Sequence, residues 1–177
     1  MKAILSEAEL QAGVRRMAAE INAFYEDRPL TIIGVLTGSV VLLADLIRLL
    51  EMPLRVGVVQ ASSYRGTATT RGKLQINSEL MPDIRKRDVL LVDEIFDTGN
   101  SLAEVIRLMR EMGPNSVRSC VLLMKQGRQE VELPVDHVGF DIPNEFVVGY
   151  GLDYQDEYRN LPYLGVLEAD DLARHNS

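Results

Sequence analysis

The chain has 177 residues, 46% of them apolar and 25% charged, with a formal net charge of −7 and a single cysteine, Cys120. This is enough for one domain with a sizeable core. The acidic balance argues against a general nucleic-acid binder and against a surface that clings to anionic lipid. One cysteine leaves no intrachain disulfide framework, and Cys120, inside SCVLLM, reads as a small buried hydrophobe. No apolar run approaches the roughly 18 residues of a membrane span. The N-terminal MKAILSEAEL turns acidic before any signal-like stretch develops, so a cytoplasmic protein is expected.

Ser6 and Glu9 have the spacing of a capping box. Behind them Leu10, Val14, Met17, Ala18 and Ile21 recur at helical spacing, which predicts a helix to about Tyr25. LTIIGVL (30–36) is a buried strand followed by the turn TGS (37–39). VVLLADLIRLL (40–50) is a second helix, apolar on most faces, and LRVGVVQA (54–61) a second strand. A polar, Gly-containing stretch, SSYRGTATTRG (62–72), interrupts before the alternating strand LQINSEL (74–80). RKRD (85–88) is a solvated turn. DVLLV (88–92) is a strand, 101–112 a helix with Leu102, Val105, Ile106 and Met109 inward, and SVRSCVLLM (116–124) a strand. After Lys125 the pattern is irregular, with Pro134 and Pro143, until FVVGY (146–150) and a short strand near LGVL (164–167). His137 and His175 are expected to be exposed and without a role. Strands that alternate with helices, and that are apolar almost throughout, predict a parallel sheet covered on both faces.

Ligands in such sheets bind beyond the carboxyl ends of the strands. TGS, DEIFDTGNS and KQG fall there. DTGNS lies between a strand end and a helix start, where free N–H groups and the helix dipole make an anion site. Thr98, Asn100 and Ser101 add side-chain donors, and Gly99 allows geometry that a side chain would obstruct. The segment is neither a P-loop nor a dinucleotide fingerprint. Asp93 and Glu94 would repel a phosphate unless something intervenes. A hard cation such as Mg²⁺ would resolve the conflict, as would sugar hydroxyls that donate to carboxylates. Asp97 is left over, as an N-cap or as a proton acceptor.

VLLVDEIFDTGNSL (89–102) resembles the phosphoribosyl-pyrophosphate motif of type I phosphoribosyltransferases. Further stretches are similar to the hypoxanthine-guanine branch: VLTGSVVLLADL (35–46), SSY (62–64), LLMK (122–125), VGFDIPNEFVVGYGLDY (138–154) and EYRNLPYLGVL (157–167). The match runs from about residue 30 to 167. It implies one phosphoribosyltransferase domain over 1–177: a core at about 30–125, a small hood formed by the terminal and post-125 segments (purine-binding part about 126–167), and a mobile flap at about 62–73. It implies Mg²⁺-dependent transfer of 5-phosphoribose from phosphoribosyl pyrophosphate to hypoxanthine or guanine, in a homodimer or homotetramer. A ligand-sensing regulator of the same fold is the alternative. A phosphatase with Asp93 as nucleophile lacks its second acid, because Ile95 stands in that place.

The resemblance also distributes roles. Asp97 is the general base, and the 5′-phosphate lies over Asp97, Thr98, Gly99, Asn100 and Ser101. Asp93 and Glu94 meet ribose hydroxyls or the metal. Thr37 and Gly38 present N–H groups to pyrophosphate, with Thr37 where many relatives carry Lys, and the Leu36–Thr37 peptide is expected to be cis. Lys125 selects a 6-oxo group, Phe146 stacks on the purine and Val147 offers backbone groups to its edge. Asp153 faces the purine and a second metal, and Arg159 meets pyrophosphate. Ser63 and Tyr64 reach the pyrophosphate side from the flap. Without the resemblance, Lys125 reads more readily as a solvated strand end and Phe146 as core, and Arg159 equally as the ion-pair partner of Asp156 or Glu157.

Overall fold

The computed structural model describes residues 1–63 and 74–171. The flap positions Tyr64, Arg65 and Arg71, and His175 in the tail, lie outside the described residues. The elements run β1 (Lys2–Leu5), α1 (Glu7–Tyr25), β2 (Leu30–Leu36), α2 (Val40–Ile47), β3 (Leu54–Ser63), β4 (Leu74–Asn77), β5 (Asp88–Phe96), α3 (Asn100–Glu111), β6 (Ser116–Lys125), β7 (His137–Ile142), β8 (Val147–Val148) and β9 (Leu164–Val166). Six strands form one sheet in the order β4-β3-β2-β5-β6-β7, and only β4 runs antiparallel. A second sheet, β1-β9-β8, is the expected hood, built from the amino terminus and the carboxyl-terminal third.

The central strands are apolar because both of their faces are covered. On one side α1 and α2 bury Leu10, Met17, Ile21, Leu42 and Leu46 against Ile32, Leu90 and Leu122. On the other, α3 packs Leu102, Val105, Ile106 and Met109 against Ile33, Leu91 and Val121. Each such side chain stabilises the fold by about 1.5–3 kcal/mol when fully buried. After β2 the chain builds outward to β3, and after β5 it builds the other way to β6 and β7. The reversal leaves a crevice between the carboxyl ends of β2 and β5, the place where such sheets bind ligands.

Several expectations change in detail. β5 continues four residues past Val92, because Asp93, Ile95 and Phe96 pair with Val121, Leu123 and Met124 of β6. Asp93 and Glu94 are therefore strand residues rather than loop residues. α2 stops at Ile47 rather than at 50, and β4 at Asn77 rather than at 80. β1 and β7 are additional strands. β7 follows the proline-containing stretch and contains His, Gly and Asp, a composition poor in strand formers. Two glycines seat it: a Cβ on Gly139 would lie 2.5 Å from the Leu122 carbonyl oxygen, and one on Gly13 would lie 2.2 Å from the Phe140 ring. His137 is buried, not exposed. Its Nε2 has no described partner, and burial holds the imidazole pKa below its usual value.

The capping box of α1 forms as expected, with Ser6 Oγ accepting from Glu9 N–H and Glu9 Oε2 accepting from Ser6 N–H at 2.8 Å. Ser6→Ala removes the first of these bonds and should lower stability by about 1 kcal/mol, read as a reduced urea midpoint at unchanged slope.

Candidate active site

β5 delivers two adjacent carboxylates to the crevice. Asp93 is 9% exposed. Its Oδ1 accepts from Glu94 N–H at 2.9 Å. Burial first, and the neighbouring charge of Glu94 second, push the Asp93 pKa well above the ordinary carboxylate range. Glu94 Oε2 is buried with no described partner. The Glu94 carboxylate occupies the space over Gly38, where a Cβ would fall 2.2 Å from Cδ. Buried carboxylates of this kind are stable only when cations or donors reach them. Among the described residues no group of three or more His, Cys, Asp and Glu side chains could hold a metal ion. The donor set still suits a hard divalent cation that takes one or two carboxylates and completes its shell with ligand oxygens and water.

Past Phe96 the chain leaves the sheet and enters α3. Gly99 is the N-cap, in the left-handed region at φ 86°, and has no side chain with which to cap the helix. The Asn100 N–H makes a long bond to Thr98 Oγ1 at 3.4 Å, and the N–H groups of Ser101 and Leu102 are left for a ligand. Asp97 is not the N-cap. Asp93, Glu94, Asp97, Thr98, Gly99 and Ser101 line one cleft of about 240 Å³. The side-chain amide of Asn100 donates to Thr98 Oγ1 at 3.3 Å and to Glu130 Oε2 at 2.8 Å, so Asn100 contributes to the nest chiefly as backbone and brace.

Asp97 meets two cations. Lys125 Nζ, at the end of β6 and nearly buried, donates to Asp97 Oδ2 at 3.3 Å, and Arg128 Nε donates to Oδ1 at 2.9 Å. Burial pushes the Asp97 pKa up, but the hydrogen bond from Arg128, the charge of Lys125 and their remaining interactions outweigh it. The net pKa lies below the ordinary value, so Asp97 is ionised at neutral pH. Arg128 and Glu130 are site residues that the sequence pattern did not single out. The segment after Lys125 looks irregular, yet it folds onto the nest, with Glu130 N–H donating to the Thr98 carbonyl at 2.9 Å. A charged run after a strand end was the available signal, and it does not distinguish this from a solvated loop.

The carboxyl-terminal residues form a second depression lined by Phe146, Asp153, Tyr154, Gln155 and Asp156. Phe146 is 54% exposed and meets Tyr154 edge-to-face at 5.7 Å. An exposed ring is free for a planar ligand, which a core residue is not. Val147 is buried in β8, paired with Val166. Arg159 pairs with Asp153 at 2.8 Å and more loosely with Asp156 at 3.6 Å. In the turn after β2 the Leu36–Thr37 peptide is cis. Thr37 is exposed and Gly38 buried between Glu94 and the backbone of Gly151. Ser63 ends β3; Tyr64 lies beyond the described residues.

The chain matches the phosphoribosyl transferase domain family over residues 1–155. It is 41% identical to a hypoxanthine-guanine phosphoribosyltransferase of Staphylococcus epidermidis, over 94% of this chain and 93% of that one. It is also 41% identical to a hypoxanthine phosphoribosyltransferase of Salmonella typhimurium, over 93% of this chain and 94% of that one. A crystal structure of a hypoxanthine-guanine phosphoribosyltransferase from Bacillus anthracis, with HEPES in its active site, superposes with a TM-score of 0.89 at 34% identity, covering 95% of this chain and 99% of that one.

At Gly99 a Cβ would meet the Phe96 ring at 2.5 Å and Val131 at 2.7 Å, in a backbone conformation that disfavours side chains. Gly99→Ala should cost about 1–3 kcal/mol, read by chemical denaturation.

Proposed function

The chain belongs to the phosphoribosyl transferase family, in its hypoxanthine-guanine branch, and from that premise we propose that it makes IMP or GMP and pyrophosphate from phosphoribosyl pyrophosphate and hypoxanthine or guanine, a purine-salvage reaction. One observation carries the assignment of roles: Asp97 Oδ2 lies 3.3 Å from Lys125 Nζ. That contact joins the mouth of the phosphate nest to a buried ammonium that can read a base.

The 5′-phosphate lies over Asp97, Thr98, Gly99, Asn100 and Ser101, held by N–H groups of the first turn of α3 and the Ser101 hydroxyl. Asp93 and Glu94 take the ribose hydroxyls, or Mg²⁺ through their oxygens. The buried, unpartnered Glu94 Oε2 and the raised Asp93 pKa support an external cation or donor there. When bound, Mg²⁺ supplies Lewis-acid stabilisation of the charge that grows on the departing pyrophosphate. Thr37 and Gly38 offer main-chain N–H groups to that pyrophosphate, and Arg159 its guanidinium fork. Arg159 also pairs with Asp153, which would orient both groups toward the anion and a second metal.

Lys125 donates to the purine O6. An ammonium has donors and no acceptor, so it favours a 6-oxo over a 6-amino group. Phe146 stacks on the purine with Tyr154 at its edge, and Val147 main-chain groups meet the base edge. As the C1′–O bond breaks, its electron pair leaves with pyrophosphate. The purine nitrogen forms the new bond to C1′ and Asp97 accepts the N7 proton. Ser63 and Tyr64 would cover the pyrophosphate side and exclude water.

No described helix is long and apolar enough to cross a membrane. A cytoplasmic enzyme accords with the free, buried Cys120. Val40 and Leu49, exposed apolar residues on and just past α2, suit self-association as a dimer or tetramer.

The reaction is tested with a panel of purines, phosphoribosyl pyrophosphate and Mg²⁺. Pyrophosphate release is expected with hypoxanthine or guanine; ligand binding without turnover on any purine would make the protein a sensor instead. Asp97→Asn should lower kcat by about 100-fold or more while phosphoribosyl pyrophosphate binding changes little. Equal losses in both would reduce Asp97 to a binding group. Lys125→Ala should narrow the preference for hypoxanthine over adenine by about tenfold or more in kcat/KM; an unchanged ratio would remove Lys125 from base selection.

A further inference from the structure

Gly149, Tyr150 and Gly151 join the loop that carries Arg159 to the turn of Thr37 and Gly38. All three have positive φ, at 98°, 48° and 100°. A tyrosine is rarely held there without a specific constraint. The constraint is visible on both sides. A Cβ on Gly149 would fall 2.1 Å from the Tyr163 carbonyl oxygen, and one on Gly151 would fall 2.1 Å from that of Gly38. Tyr150 N–H donates to the Leu161 carbonyl at 2.8 Å, and Gly151 N–H to that of Arg159 at 3.0 Å. Arg159 returns a bond from Nη1 to the Gly151 carbonyl at 2.8 Å. The loop that carries Arg159 is therefore locked to the Gly-Tyr-Gly bend.

The Tyr150 side chain leaves that loop altogether. It is 5% exposed, and its hydroxyl donates to Asp45 Oδ2 at 2.5 Å. Asp45 sits on α2, the helix that begins directly after the Thr37–Gly38 turn. Burial first, then the Asp45 acceptor and its charge, push the phenol pKa far up, so the hydroxyl acts as a donor at every working pH. Two separate contacts thus tie one loop to one helix and the turn that starts it: Gly151 backbone on Gly38, and Tyr150 on Asp45.

We propose that Tyr150, acting through Asp45, is a positioning residue for the pyrophosphate half of the site. It sets the separation between Arg159 and the Thr37–Gly38 N–H groups, which otherwise belong to segments more than a hundred residues apart in the chain. It touches no substrate itself. The inference rests on the transfer reaction proposed above. The other half of the site, Asp97 just past β5 and Lys125 at the end of β6, does not depend on this link.

The test is steady-state kinetics of Tyr150→Phe, which keeps the ring and removes only the hydroxyl. KM for phosphoribosyl pyrophosphate, and the inhibition constant of pyrophosphate, should rise by about tenfold, as when most of the free energy of one hydrogen bond to a charged group passes into pyrophosphate binding. KM for hypoxanthine and kcat should stay within about twofold. Asp45→Ala should reproduce the effect, and the double variant should be no worse than either single one, because both remove the same bond. Arg48→Ala breaks the other contact of Asp45, an ion pair at 2.6 Å, and should leave KM unchanged. An unchanged KM for phosphoribosyl pyrophosphate in Tyr150→Phe would overturn the proposal. So would a lowered Tm with equal losses for both substrates, which marks a purely structural bond. If the wild-type protein turns over no purine, the transfer reading fails, and calorimetric titration of the same variants with Mg²⁺ and pyrophosphate decides the positioning role separately: a Kd raised about tenfold upholds it, and an unchanged Kd overturns it.

Discussion

Two adjacent carboxylates at the end of a buried strand, with no described cation beside them, are the constraint around which this site is organised. Asp93 is buried, its pKa is raised, and one oxygen of Glu94 is sealed from solvent without a partner. A fold selected for stability alone would place apolar residues or an ion pair there. The uncompensated oxygens are satisfied when a ligand brings hydroxyls or a metal to them. The same strand then runs into a helix whose N-cap, Gly99, has no capping side chain, so the acids and the anion nest line one cleft. A sugar phosphate has the matching polarity: hydroxyls and bound cation at one end, anionic oxygens at the other.

The fold supplies the distances. The reversal of strand order between β2 and β5 brings the Thr37–Gly38 turn against Glu94, and the absence of a side chain on Gly38 makes that contact possible. β6, hydrogen-bonded beside β5, carries Lys125 to within 3.3 Å of Asp97. The hood strands hold Phe146 and Asp153 over a second depression, and Gly151 fastens this layer to the turn after β2. Packing of α1 and α2 on one face and α3 on the other keeps these strand ends fixed.

Much of this was legible in the sequence. The helical period behind Ser6 gave α1 with its capping box, and the apolar runs at 30–36, 88–92 and 116–124 gave the central parallel strands. The positions of Asp93 to Ser101 at a strand-to-helix junction followed from that pattern. The missed parts have physical reasons. β7 is an edge strand of mixed composition that is held by contacts far apart in sequence, so local propensity does not mark it. His137 is buried by packing with α1 and β6 that no local pattern encodes. Arg128 enters the site because an irregular segment folds back onto the Thr98 carbonyl, a tertiary contact. Extension of β5 through Phe96 depends on pairing with β6, which overrides the polar residues at 93 and 94.

The direct measurement of the central claim is the affinity for phosphoribosyl pyrophosphate, by titration calorimetry, with and without Mg²⁺, in the wild-type protein and in an Asp93→Asn, Glu94→Gln double variant. The account predicts binding that tightens by about tenfold or more with Mg²⁺ in the wild-type protein, and loss of that gain in the variant. Binding that ignores Mg²⁺, or a variant that retains the full gain, would contradict it.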